Sequence, residues 1–149
     1  MLEYAKKAKM QRLSGNHHDN GSLSGYCLDN SYVLYNILIN NGYDPKIVCG
    51  ASENYSNEVI SRKGIKNINY VEDLEGQVHF WVECKNKTID IASDIKNQYG
   101  EILVSDNLPQ SYHILDNSYQ YANEIISNMP PRCEYCGGKF NNCGCEFSN

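Results

Sequence analysis

The feature that most constrains this chain is a pair of short runs, Val78-His79-Phe80-Trp81-Val82-Glu83-Cys84 and Lys87-Thr88-Ile89-Asp90-Ile91-Ala92, separated only by Lys85-Asn86. Alternating apolar and polar residues around a two-residue polar step predict two strands joined by a tight hairpin. In the simplest pairing Cys84 faces Lys87, so Trp81 lies opposite Asp90 and His79 opposite Ala92. Side chains alternate along a strand. His79, Trp81, Glu83, Thr88, Asp90 and Ala92 therefore share one face, and Val78, Phe80, Val82, Cys84, Ile89 and Ile91 share the other. His79 and Asp90 become diagonal neighbours, roughly 5.5–8 Å apart at Cβ. An imidazole and a carboxylate can span that gap.

The rest of the chain supplies elements that can cover such a hairpin. Leu28, Tyr32, Tyr35, Leu38 and Ile39 recur at helical spacing, predicting an amphipathic helix over Leu28–Asn40 that ends at Asn41-Gly42. Lys46–Ala51 reads as a strand, Glu101–Val104 as another, and Tyr119–Met129 as a helix stopped by Pro130-Pro131. Leu2–Leu13 reads as a short surface helix. Ser14–Gly25 has the turn chemistry of a loop, and the polar stretch Ser52–Gln77 holds at most a weak strand near Ile68–Val71. With 149 residues, 41% of them hydrophobic and 21% charged, the chain has material for one α+β domain of ordinary composition. A formal net charge of -5 opposes a broad nucleic-acid footprint. No apolar run has the length of a membrane span. The N-terminal residues lack a signal-peptide core, so a cytoplasmic, reducing setting is expected.

Cys27 follows Ser24-Gly25-Tyr26 and stands at the start of the amphipathic helix. Unpaired N–H groups and the helix dipole favour a thiolate there, and the Cys27 N–H is placed to donate to a developing oxyanion. The plain alternative is a buried, inert cysteine, and for His79 a half-buried sheet histidine bonded to a carboxylate for structural reasons. Together, a helix-start thiol and a strand-borne His–Asp pair form the parts of a nucleophilic triad, in which the carboxylate fixes the imidazole tautomer and stabilises the imidazolium.

The order Gly25-Tyr26-Cys27-Leu28-Asp29-Asn30-Ser31, then His79-Phe80-Trp81-Val82-Glu83, then Thr88-Ile89-Asp90 resembles the transglutaminase-like superfamily, which is related to papain. The match covers about residues 24–94. The stretch from Ala92 to Gly100, followed by Ile102-Leu103-Val104, resembles a continuation in small members. The resemblance implies a Cys-bearing helix packed on an antiparallel sheet, with Cys27 as nucleophile, His79 as base and Asp90 as orienter. It implies acyl transfer through a thioester, resolved by water or by an amine, on a protein or peptide substrate. Gln11 and Asn16 are candidates for the further oxyanion donor that relatives use. The rival expectation is a non-catalytic protein-binding module that keeps the fold.

Seven cysteines divide into three scattered through the body and four near the end. Cys133, Cys136, Cys143 and Cys145 follow the spacing C-x2-C-x6-C-x-C, and the glycines after Cys136 resemble a zinc knuckle. Four soft thiolates in a short segment suit a tetrahedral structural zinc; disulfides and free thiols are the alternatives. A catalytic zinc is not expected, because such sites usually include His and keep an open position. A zinc-dependent nucleic-acid binder is a weaker reading against the acidic balance. The organisation expected is a catalytic domain over residues 1–129 and a zinc tail over 130–149. His17-His18-Asp19 reads as a solvated loop, His113 as a strand or its edge, Cys49 and Cys84 as core, and the tyrosines as packing residues.

Overall fold

The computed structural model describes residues 1–14, 27–52, 78–93, 95–115, 118–128, 131–138 and 145. The loop expected after Ser14, with His17-His18-Asp19 and Asn16, and the polar stretch 53–77 with its weak strand lie outside the described residues. Among those described, three helices, α1 (Leu2–Leu13), α2 (Cys27–Asn40) and α3 (Ser118–Ser127), accompany five strands. These are β1 (Lys46–Ala51), β2 (His79–Cys84), β3 (Lys87–Asp90), β4 (Leu103–Ser105) and β5 (His113–Ile114). They form one antiparallel sheet in the order β4-β3-β2-β1-β5.

The hairpin at the centre of the sheet has the expected register. Cys84 pairs with Lys87, Glu83 with Thr88 and Val82 with Ile89. Lys85 and Asn86 both take positive φ, 52° and 61°, as a two-residue turn must to match the strand twist. One boundary differs from expectation. β3 stops at Asp90 rather than Ala92, because Asp90 Oδ1 accepts the Ala92 N–H at 3.0 Å and turns the chain. Ala92 thereby leaves the polar face and packs with the apolar core. β4 likewise runs over Leu103–Ser105 rather than 101–104.

α2 is one residue longer than expected at its start, so Cys27 lies within its first turn. Its other end is closed by Gly42, φ 85°, with Tyr43 N–H bonding Leu38 C=O at 3.0 Å and Gly42 N–H bonding Ile39 C=O at 3.1 Å. The inner face of α2, Val33, Leu34, Ile37 and Leu38, packs with Ile47 and Cys49 of β1, Phe80, Val82 and Cys84 of β2, and Ile89. Each such aliphatic side chain contributes about 1.5–3 kcal/mol on burial. Cys49 and Cys84 are core residues, as expected. The opposite sheet face carries a smaller cluster of Val48, Trp81 and Tyr112. α3 packs on β1.

α1 is a surface helix, with Glu3, Lys6, Lys7 and Met10 exposed, and it buries one face. Ala5, Ala8 and Arg12 stand at i, i+3 and i+7, all at 0% exposure, and this face packs on α2. Too few large apolar residues mark it for the hydrophobic pattern to reveal. Among the described residues, no helix is long and apolar enough to cross a membrane.

Candidate functional site

The sheet and the start of α2 bring together the three residues singled out in the sequence. His79 opens β2 and Asp90 closes β3, both buried. His79 Nε2 lies 2.6 Å from Asp90 Oδ2. A carboxylate only accepts, so the ring donates through Nε2–H and Nδ1 is the nitrogen left to meet the thiol. Cys27 is partly exposed, its Sγ is 3.9 Å from the Val78 carbonyl, and it hydrogen-bonds His79. The residue that precedes the imidazole in the chain thus also borders the sulfur.

Electrostatics follow from this contact. Burial pushes the His79 proton affinity down, but the hydrogen bonds to Asp90 and to Cys27, and the charges behind them, outweigh it and hold the imidazole up at about 10. These contacts stabilise the imidazolium that forms once the ring takes up a proton. Cys49, by contrast, is pushed up to about 12, first by burial and then by the nearby Cys27. Burial raises Cys84 as well. These two thiols are held protonated, the state expected of inert core cysteines.

Tyr112 belongs to the site, and no local spacing marks it. Its hydroxyl donates to Asp90 Oδ2 at 2.7 Å and meets Ser93 Oγ at 2.6 Å, while the Ile95 N–H donates to Ser93 Oγ at 3.1 Å. Asp90 thus receives His79 and Tyr112 on one oxygen and the Ala92 N–H on the other. The carboxylate is held in place by three donors. Tyr112 also stands edge-on to Trp81, with ring centroids 5.0 Å apart, and to His79, 6.1 Å apart. Trp81 lies 5.8 Å from the imidazole at 31° and is itself anchored, its indole N–H donating to Glu83 Oε1 at 3.1 Å. An aromatic wall therefore packs against the ring that contacts Cys27.

Gln11 lines a cleft of about 360 Å³ with Asn36, Asn40, Arg132 and Tyr135, a lining that includes neither Cys27 nor His79. Asn16 lies outside the described residues.

The second constellation is a thiolate cluster. The Sγ atoms of Cys133, Cys136 and Cys145 all lie within 4.8 Å of one another; Cys143 lies outside the described residues. Cys133 and Cys136 are at 0% exposure. Gly137 turns the chain at φ 76°, its N–H bonding the Cys133 carbonyl at 2.7 Å, and the Gly138 N–H points at Cys136 Sγ at 3.4 Å. Backbone N–H groups directed at a sulfur stabilise a thiolate ligand. Among the described residues Tyr135 packs beside the three cysteines, and their thiols are a donor set that could hold a metal ion.

Comparisons with protein-family models, with curated proteins and with solved structures return no match to this chain.

Proposed function

We propose that the chain is a cysteine-dependent acyl-transfer enzyme of the transglutaminase-like kind, acting on an amide or acyl carbon of a protein or peptide. The observation that carries this reading is the two-sided contact of His79, with the Cys27 thiol on one side and the Asp90 carboxylate on the other. His79 takes the thiol proton, and the Cys27 sulfur attacks the carbonyl carbon. The oxyanion forms beside the first turn of α2, whose N–H groups have no intrahelical partners. As the tetrahedral species collapses, the C–N bond breaks and His79 returns its proton to the departing amine. Water or a second amine then gives a proton to His79 and attacks the thioester, which restores the thiol. Asp90 keeps the imidazole in the tautomer that presents Nδ1 to sulfur, and Tyr112 and Ala92 keep Asp90 in place.

The thiolate cluster would hold a structural zinc, with Cys143 completing the set around Cys133, Cys136 and Cys145. Soft sulfur donors and N–H···S support favour zinc over calcium or magnesium, which take oxygen. The zinc supplies folding energy to a segment with little apolar mass of its own.

Brief treatment with iodoacetamide near neutral pH, followed by peptide mapping, tests the enzyme reading. Cys27 is expected to label well ahead of Cys49 and Cys84, and His79→Ala to remove the difference. Equal labelling of the three would refute it and favour a binding module.

A further inference from the structure

Arg12 is 0% exposed, and fully buried arginines are rare unless paired. Its Nε donates to Asn30 Oδ1 at 2.8 Å, and its Nη1 donates to the Cys136 carbonyl. Asn30 lies one helical turn from Cys27 on α2, and Cys136 is a member of the thiolate cluster. One guanidinium therefore joins the turn that presents the nucleophile to the segment that holds the metal. Two further contacts tie the same parts. Arg132 Nη2 lies 3.6 Å from Asp29 Oδ1. Gly137 is seated so closely that a Cβ there would come within 2.8 Å of Val33 Cγ2 and 3.1 Å of the Asp29 carbonyl. The cluster is thus docked on the first two turns of α2, and a carbonyl of its own loop satisfies a charge buried in the body of the protein.

We propose that Arg12 is a positioning residue for the nucleophile, and that through it metal occupancy of the cysteine cluster sets the reactivity of Cys27. The inference rests on the triad reading above. With metal bound, the 133–138 loop is closed and the Cys136 carbonyl is fixed where Arg12 needs it. When the metal leaves, the loop loses its main source of order and the buried guanidinium loses an acceptor. Losing a buried acceptor of a charged group is unfavourable, so Arg12 and Asn30 rearrange and the first turn of α2 moves relative to His79. A thiol displaced by about 1 Å from its base loses much of its reactivity, on the order of 10²-fold at the extreme.

The test measures iodoacetamide alkylation of Cys27 against pH on the full chain, with zinc content and far-UV circular dichroism followed in parallel. Three proteins are compared: wild type before and after chelation, Arg12→Met, which keeps bulk but removes the donors, and Arg12→Lys, which keeps the charge. Arg12→Met is expected to retain zinc and helix content yet to alkylate Cys27 at least about tenfold more slowly, with Arg12→Lys recovering part of the loss. Chelated wild type is expected to match Arg12→Met, and chelation of Arg12→Met to change little further. Cys27 that is fast in wild type but indifferent to both the Arg12 substitution and the metal would overturn the coupling while leaving the triad intact. Loaded wild type in which Cys27 reacts no faster than Cys84 would overturn the triad and this proposal with it.

Discussion

Substituting Asp90 by Asn removes the charge behind His79 while changing the side chain's shape very little. The imidazole stands at about 10 against an ordinary 6.5, a gap worth about 5 kcal/mol. Burial acts in the opposite sense, so Asp90 and Cys27 together supply at least that much. The hydrogen bond to Asp90 is the largest of the upward influences. If it and the accompanying charge supply half, Asp90→Asn lowers the His79 titration by ~2 pH units or more. The substitution also creates a donor conflict. The carboxylate accepts from His79 Nε2, the Tyr112 hydroxyl and the Ala92 N–H, and an amide that offers one oxygen turns its NH₂ toward one of these donors. Leaving such a buried donor unmatched costs about 1–3 kcal/mol, read as a lower urea midpoint. Imidazole NMR, with His79 assigned by His79→Gln, follows the titration directly. The neutral-pH rate of Cys27 alkylation should fall with it. A His79 that titrates at the same pH in wild type and Asp90→Asn would refute the electrostatic reasoning.

Other outcomes follow from the same contacts. Because the folded-state pKa of His79 is raised, its contribution to stability is complete below the unfolded value near 6.5 and is lost as pH climbs through about 10. Wild type should therefore lose stability relative to His79→Gln across that window, and urea midpoints that fall in parallel would contradict this. Tyr112→Phe removes the bonds to Asp90 and Ser93 and should cost about 1–2 kcal/mol in denaturant unfolding; an unchanged midpoint would mean the hydroxyl is not engaged. Gly50→Ala places a Cβ only 1.9 Å from the His113 carbonyl across the β1–β5 pair. It should destabilise by about 3 kcal/mol or more and loosen the adjoining Tyr112, and a wild-type melting temperature would speak against the pairing. Protein purified without added metal should carry about one zinc per chain, measured by elemental analysis; metal-free protein with an ordered tail would refute the assignment.

The hairpin was legible because its information is local. A two-residue turn and a period of two determine which side chains share a face, and the face bearing His79, Trp81 and Asp90 follows from them. Cys27 was legible because a glycine-bearing loop and a helical repeat meet there. What escaped was non-local or carried by a side chain bonding to backbone. Ile91 and Ala92 look like strand, but the Asp90 carboxylate captures the Ala92 N–H and ends β3 early. Tyr112 reaches Asp90 across 22 residues from the entry of β5, and a tyrosine among twelve carries no mark of that role. Arg12 meets Cys136 across 124 residues. A basic residue on a polar helix reads as solvated until its acceptors come from elsewhere in the fold.

The central claim is that the Cys27 sulfur, driven by His79 and Asp90, forms a covalent bond to an acyl carbon. Brief exposure of the zinc-loaded protein to an activated ester such as p-nitrophenyl acetate, quenched in acid and read by intact-mass and peptide analysis, measures this bond. The account predicts a single acetyl group on Cys27, lost in Cys27→Ala and strongly reduced in His79→Ala. Acetylation spread over lysines or other cysteines, with Cys27 left unmodified, would contradict it.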